Sequence, residues 1–217
     1  MSATNAVSRR SRSMESKQRR ISEAAAELFD AEGFSAVTTQ QISDRADVAA
    51  GTLFRYAASK SELLLMVYNS KLDEALREGL ERAESVSDPV EAVVALVEPL
   101  VTRASESPEN AATYQRELLF GSPSERFRLE GLAHVQAFEE ALAARLVDSD
   151  RGRGVTDDHD AARVASSSVF AVVHLAIARL YTGAHRGHDL RDDLRHQIAQ
   201  IVRGLAATRE ATGERRP

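Results

Sequence analysis

The 217-residue sequence contains no cysteine. Disulfide cross-links, thiolate zinc sites and cysteine nucleophiles are therefore excluded. No apolar stretch follows the N-terminal arginines, so no secretory signal is expected there. The most apolar segment, Val169 to Tyr181, is interrupted by His174 and Arg179 and is too short to span a bilayer. Alternating strand patterns, internal repeats, a phosphate-binding glycine loop, an H-E-x-x-H pair and a strand-borne nucleophile are also missing. These absences lead us to expect a soluble, cytoplasmic, all-α protein without enzymatic activity, cofactor, metal site or membrane partner.

What is present is an ordinary globular balance, 43% hydrophobic and 28% charged residues, with a net charge of −5. The charge is unevenly spread. Residues 1–60 carry nine Lys/Arg against seven Asp/Glu, so the remaining residues carry −7. The basic excess lies in Arg9, Arg10, Arg12, Lys17, Arg19 and Arg20, opposed locally only by Glu15. A basic head on an acidic body suits an approach to phosphate, although a merely solvated basic tail would look the same.

About nine helices are expected. Residues 1–14 lack periodicity and read as a flexible basic arm. Ile21, Ala24, Ala25, Leu28 and Phe29 form the stripe of a first helix, which Gly33 ends. Thr38 and Gln41 make a T-x-x-Q capping box for a short second helix, and Ser59 and Glu62 make another for a long fourth. A short third helix over Ala50 to Ala57 lies between them. Asp88-Pro89 combines a cap with proline at the first helical position and starts a fifth, which Pro99 should kink. Ser107-Pro108 and Ser122-Pro123 open two more, ending near Phe120 and Val147. A polar loop over 148–158, an eighth helix to Thr182, a ninth over 189–207 and a flexible tail at 209–217 complete the chain. The domain expectation is 15–75 for the first helices and 76–208 for a larger helical domain.

Residues 38–57 read as a helix-turn-helix. Ile42, Ser43, Ala46, Val48 and Leu53 are small or apolar where two short helices must cross, and Asp47 sits where the turn requires positive φ. The stretch from Arg20-Ile21 to Leu63 resembles the DNA-binding domain of the TetR family. The match rests on Ala24-Ala25-Ala26-Glu27-Leu28-Phe29, Gly33-Phe34, Thr38, Ile42, Ala46, Val48, Gly51-Thr52-Leu53-Phe54, Tyr56 and Ser59-Lys60. The resemblance implies a homodimeric repressor that binds palindromic double-stranded operator DNA and is released by a small-molecule effector. It places Ala50, Gly51, Thr52, Phe54, Arg55 and Tyr56 in the groove. It assigns Thr38, Thr39, Thr52, Tyr56 and Lys60 to phosphates, and leaves Gln40 and Arg55 as the readers of base edges. Ala49-Ala50, Asp47 and Ala57 depart from the family's usual residues, and the first of these departures costs a cap and one DNA contact.

Further along, the eighth helix is apolar on nearly every side and the ninth carries one apolar stripe. Val169, Val173, Ile177, Leu194, Ile198, Ile201 and Leu205 are therefore expected at a two-fold dimer interface. Tyr114, Arg116, Phe120, Phe127, His134, Phe138 and His174 are expected around an effector pocket, against the plainer reading of core aromatics and satisfied core histidines. His185, His188 and His196 read as exposed histidines rather than metal ligands. A DNA-binding module acting only through protein partners is the alternative to an effector-released one, and a cavity in the larger domain would separate the two.

Overall fold

The computed structural model describes residues 2–151, 159–184, 187 and 189–213. Among them are nine α-helices and no strand: α1 Ser2–Glu32, α2 Thr39–Arg45, α3 Ala50–Leu53, α4 Lys60–Glu84, α5 Pro89–Glu106, α6 Pro108–Phe120, α7 Arg126–Arg151, α8 His159–Thr182 and α9 Leu190–Gly213. The expected all-α fold is observed. The helices form two compact units, one of residues 1–71 with 113–131, the other of residues 72–112 with 132–217. The expected division lay near residue 75; here the end of α6 and the start of α7 fall in the same unit as the N-terminal helices.

Local chemistry explains most boundaries. Gly33 adopts φ 80° and its N–H donates to the Phe29 carbonyl, ending α1. The Thr38 hydroxyl accepts from the Gln41 N–H while Gln41 Oε1 accepts from the Thr38 N–H, so both halves of the first capping box form. At the second box Ser59 Oγ accepts from the Glu62 N–H, but the Glu62 carboxylate reaches back to the Ala58 N–H. Asp88 accepts from the N–H groups of Val90 and Glu91 with Pro89 at the first helical position, as its sequence predicts. Pro99 lies inside α5, which continues unbroken to Glu106.

Three boundaries differ from expectation. The 1–14 segment is helical from Ser2 rather than an arm, since no glycine precedes Gly33 and no proline precedes Pro89 to break α1. Helix α7 runs on to Arg151, past the start of the loop expected from 148, and the rest of that stretch, 152–158, lies outside the described residues. The tail expected from 209 instead continues α9 to Gly213. Arg209 is buried and its guanidinium donates to the Leu146 carbonyl at 3.3 Å, which fastens α9 beside α7.

The first unit is packed around Ile21, Phe29, Ile42, Leu53, Leu63 and Leu64, all fully buried. The start of α4 is enclosed on every side, each residue from Glu62 to Asn69 being buried. Asn69 is the polar centre of this core. Its Oδ1 accepts from the Tyr114 hydroxyl at 2.9 Å and its amide donates to the Phe127 carbonyl at 2.8 Å, tying α4 to α6 and α7. Burial, then the charge of Glu130, pushes the Tyr114 phenol up and keeps it a neutral donor.

The second unit has one continuous apolar core from α4, α5, α7, α8 and α9, including Val93, Leu96, Val101, Leu142, Val169 and Ile198. Helix α8 is long and apolar enough, by length and composition alone, to cross a membrane. Its Val169, Val173 and Ile177 side is packed in this core, whereas Val164, Leu175 and Tyr181 are exposed. Gly79 lets α4 approach α5 closely, because a Cβ there would stand 2.1 Å from the Leu96 carbonyl oxygen.

His174 sits on α8 with its ring 4.0 Å, centroid to centroid, from Phe170, and neither ring nitrogen has a well-formed hydrogen bond. Burial lowers its pKa to about 4, with the Phe170 carbonyl pulling weakly the other way. The unfolded chain, whose histidine titrates near 6.5, therefore takes up the proton first as pH falls. Stability is expected to drop between about pH 6.5 and pH 4, by on the order of 3 kcal/mol at the acid end. His174→Phe should remove that slope in pH-dependent urea denaturation; an identical profile for the two proteins would refute the assignment.

Candidate DNA-binding surface

Helices α2 and α3 cross through Ile42, Ser43, Ala46 and Leu53, all buried. Ser43 fits this crossing because its hydroxyl donates to the Gln40 carbonyl of its own helix at 2.9 Å. The turn between them bends at Asp47, whose φ of 51° is the positive value expected there, and the Val48 N–H donates to the Ser43 carbonyl across it. Asp47 also lies 3.4 Å from Arg20 of α1, an exposed and weak pair.

Helix α3 is shorter than the 50–57 expected. Only Ala50–Leu53 is α-helical, with Ala49 offering no side-chain cap. Beyond it the Arg55 and Tyr56 N–H groups donate to the carbonyls three residues back, Thr52 and Leu53, so the chain tightens into single turns. The outward surface of this short element holds Ala49, Ala50, Gly51, Phe54 and Arg55, all exposed, with Thr52 and Tyr56 half-buried at its edges.

The expected DNA contacts are placed as follows. Gln40 is exposed and its amide donates to Asp44 Oδ1 at 2.8 Å, which orients the side chain without hiding it. Arg55 is exposed, and no ion pair or hydrogen bond holds its guanidinium among the described residues. Thr38 is exposed but its hydroxyl serves the capping box, and Thr39 is half-buried. Lys60, half-buried, has structural partners besides any phosphate. Its ammonium donates to the carbonyls of Phe34 and Val37, both at 2.8 Å, and stands 4.3 Å from the centroid of the Phe34 ring. Two of its three protons are thus committed to fastening the α1–α2 turn to the start of α4. Two backbone carbonyls and an aromatic face within its reach outcompete solvent, and nothing in the sequence flags that proximity.

The residues expected around an effector pocket are dispersed. Tyr114, Arg116, Phe120 and Phe127 belong to the first unit, and His134, Phe138 and His174 to the second. Tyr114 and Phe127 are core, Arg116 pairs with its neighbour Glu117 on the surface, and Phe120 is 82% exposed. His134 lies 3.6 Å from Asp73, and Phe138 is buried in the apolar core. Two cavities in the second unit have other linings: one of about 560 Å³ between Val90, Leu146, Arg195, Val202 and Arg203, the other of about 620 Å³ between Glu140, Ala143, Val147, His159 and Arg163. No sequence motif marks either: the first joins residues near 90, 146 and 200, and the second lies between the facing sides of α7 and α8.

The expected dimer residues also need correction. Val169, Val173, Ile177, Leu194, Ile198 and Leu205 are buried in the chain's own core, and Ile201 packs half-buried against it. A helix that is apolar all round does not reveal which strip turns inward. The strip of α8 left outside runs through Val164, Ser168, Ala171 and Leu175, with Val164 56% and Leu175 47% exposed. His185 and His188 fall outside the described residues, and His196 is exposed on α9.

Residues 21–67 match the family model described as bacterial regulatory proteins, tetR family. The chain is 25% identical over 150 residues to the HTH-type transcriptional repressor KstR of Mycolicibacterium smegmatis, covering 69% of this chain and 71% of that protein. Among solved structures it is similar to Thermus thermophilus FadR, a TetR-family repressor in complex with lauroyl-CoA. That likeness has a TM-score of 0.65 and 26% identity over 86% of this chain and 94% of the other. The fold is also that of Bacillus subtilis FadR in complex with stearoyl-CoA, with a TM-score of 0.64 and 17% identity over 86% and 98% of the two chains.

Proposed function

We propose, from the match of residues 21–67 to the tetR family model and the likeness to KstR and to Thermus thermophilus FadR, that this chain is a TetR-family regulator: a cytoplasmic homodimeric repressor, not an enzyme, that binds a palindromic operator and leaves it when an effector binds. The observation that carries this reading is the α2–turn–α3 geometry. A positive-φ turn at Asp47 presents the exposed surface of α3, with an unpaired Arg55, outward from a fully buried crossing. Such a surface fits a major groove, with Gln40 and Arg55 suited to base edges and Thr39, Thr52 and Tyr56 to phosphates. Helix α1 adds Lys17 and Arg19, both exposed, to the same basic unit.

The effector class proposed is an acyl-CoA, as bound by the two FadR proteins. His174, whose ring nitrogens lack good partners inside an apolar unit, is the best-suited polar contact among the residues considered.

Duplexes selected from a random pool by the full-length protein provide the test. Arg55→Ala should cost about 1–3 kcal/mol and flatten discrimination at one base position. Lys60→Ala should weaken all duplexes alike and lower the thermal midpoint as well, since it loosens the scaffold. Lauroyl-CoA should lower operator affinity by the same factor by which operator lowers lauroyl-CoA affinity. A protein that enriches no duplex sinks the repressor reading; equal lauroyl-CoA affinity with and without duplex sinks the effector.

A further inference from the structure

The exposed surface of the recognition element is poor in hydrogen-bonding side chains. Ala49 and Ala50 present methyl groups, Gly51 presents bare backbone, and Phe54 presents an aromatic ring that is 48% exposed. Arg55 is the exposed residue with a polar side chain on this face, with Thr52 and Tyr56 half-buried at its margins. Phe54 is not exposed for want of a place in a core, since its neighbours Leu53 and Ala57 are buried. About half of its ring is left open to whatever lies outside the chain.

Gly51 has no internal reason either. A Cβ at that position would meet nothing within 4 Å, and glycine weakens a helix relative to alanine. A bare backbone there allows close approach of something outside the chain.

Resting on the reading that α3 enters a major groove, we infer that Phe54, flanked by the methyls of Ala49 and Ala50, reads the C5-methyl group of thymine. In the major groove that methyl is the apolar feature that marks a thymine, and a ring without donors or acceptors is suited to it rather than to the polar base edges. Specificity in each half-site then divides into two chemistries: hydrogen bonds from Arg55, with Gln40 from α2, and apolar contact from Phe54. The operator must accordingly carry a thymine beside the base pair that Arg55 reads.

The test uses duplexes enriched from a random pool by the full-length protein, remade with deoxyuridine in place of each thymidine in turn. Uracil keeps every hydrogen-bonding group and removes only the methyl. Binding should fall about fourfold at each thymine that Phe54 covers, the factor carried by burying one methyl group, and remain unchanged at thymines elsewhere. Phe54→Ala should bind the thymine duplex more weakly and be indifferent to the substitution. Circular dichroism checks that this variant is folded, and the wild-type titrations stand without it. An enriched duplex whose affinity is unaffected by uracil at every position, or affected equally in wild type and Phe54→Ala, overturns this inference alone. Failure to enrich any duplex overturns the operator reading and this inference together.

Discussion

Leu175→Glu is expected to turn the protein into a monomer and to lower its operator affinity by at least about a hundredfold. Leu175 is 47% exposed and shares one strip of α8 with Val164, Ser168 and Ala171. Their spacing of three and four residues makes the strip continuous along the helix, with small residues at its middle. A second copy meeting the same strip would bury both leucines, at about 1.5–3 kcal/mol each, and the small residues would let the helices come close. A carboxylate there would have to be desolvated beside its own symmetry mate, which no isologous contact tolerates. In the proposed homodimer each subunit would hold one recognition element, so losing the partner would lose the second half-site and the avidity that joins the two. Light scattering with operator titration reads both effects. A dimeric Leu175→Glu protein with wild-type affinity would place the interface away from this strip.

Gly79→Ala should be more damaging than any other single methyl added to the chain's described glycines. The new Cβ would lie 2.1 Å from the Leu96 carbonyl oxygen, 2.9 Å from its carbon and 3.1 Å from its Cα. All three are backbone atoms of α5, so no side chain can swing aside and the two helices must part. Leu96, Val93 and Val97 beside that contact are fully or almost fully buried, and separation would open their packing. Overpacking of this kind costs about 1–3 kcal/mol and sometimes more; about 3 kcal/mol or outright failure to fold is expected here. Gly204→Ala is the matched control, since its Cβ meets nothing within 4 Å and helix propensity alone favours it. Urea denaturation of the two variants should show opposite signs. A loss below about 1 kcal/mol for Gly79→Ala would mean that the α4–α5 crossing relaxes freely.

The features legible in the sequence are those fixed by neighbours in the chain. Thr38 with Gln41, Asp88 with Pro89, Gly33 and the positive-φ Asp47 all act over a few residues, and each is found as its chemistry requires. Features that depend on residues distant in the chain were closed to sequence reasoning. Lys60 has the right charge for phosphate, yet its ammonium is held by carbonyls 26 and 23 residues earlier. Arg209 reads as part of a charged tail, yet a carbonyl 63 residues away holds it in place. Aliphatic residues stand both on the side of α8 that faces the core, such as Val169, Val173 and Ile177, and on the side that faces out, such as Val164 and Leu175, so composition does not orient the helix. Two of the residues expected around an effector pocket have a structural role that the sequence does not reveal. Tyr114 and Phe127 serve Asn69, a buried amide whose partners lie 45 and 58 residues further along.

That amide has a practical consequence for anyone building hybrid sensors. Regulators of this architecture invite a cut after the first few helices, with the DNA reader of one protein joined to the receptor body of another. Here such a cut, at residue 75, would keep Asn69 and discard the Tyr114 hydroxyl and the Phe127 carbonyl that satisfy it. It would also strip Leu118 and Phe127 from the packing of the unit they share with α1 to α3. The portable piece is therefore not a stretch of sequence but a discontinuous one, and a working chimera must carry residues 113–131 of this protein along with its N-terminal 71.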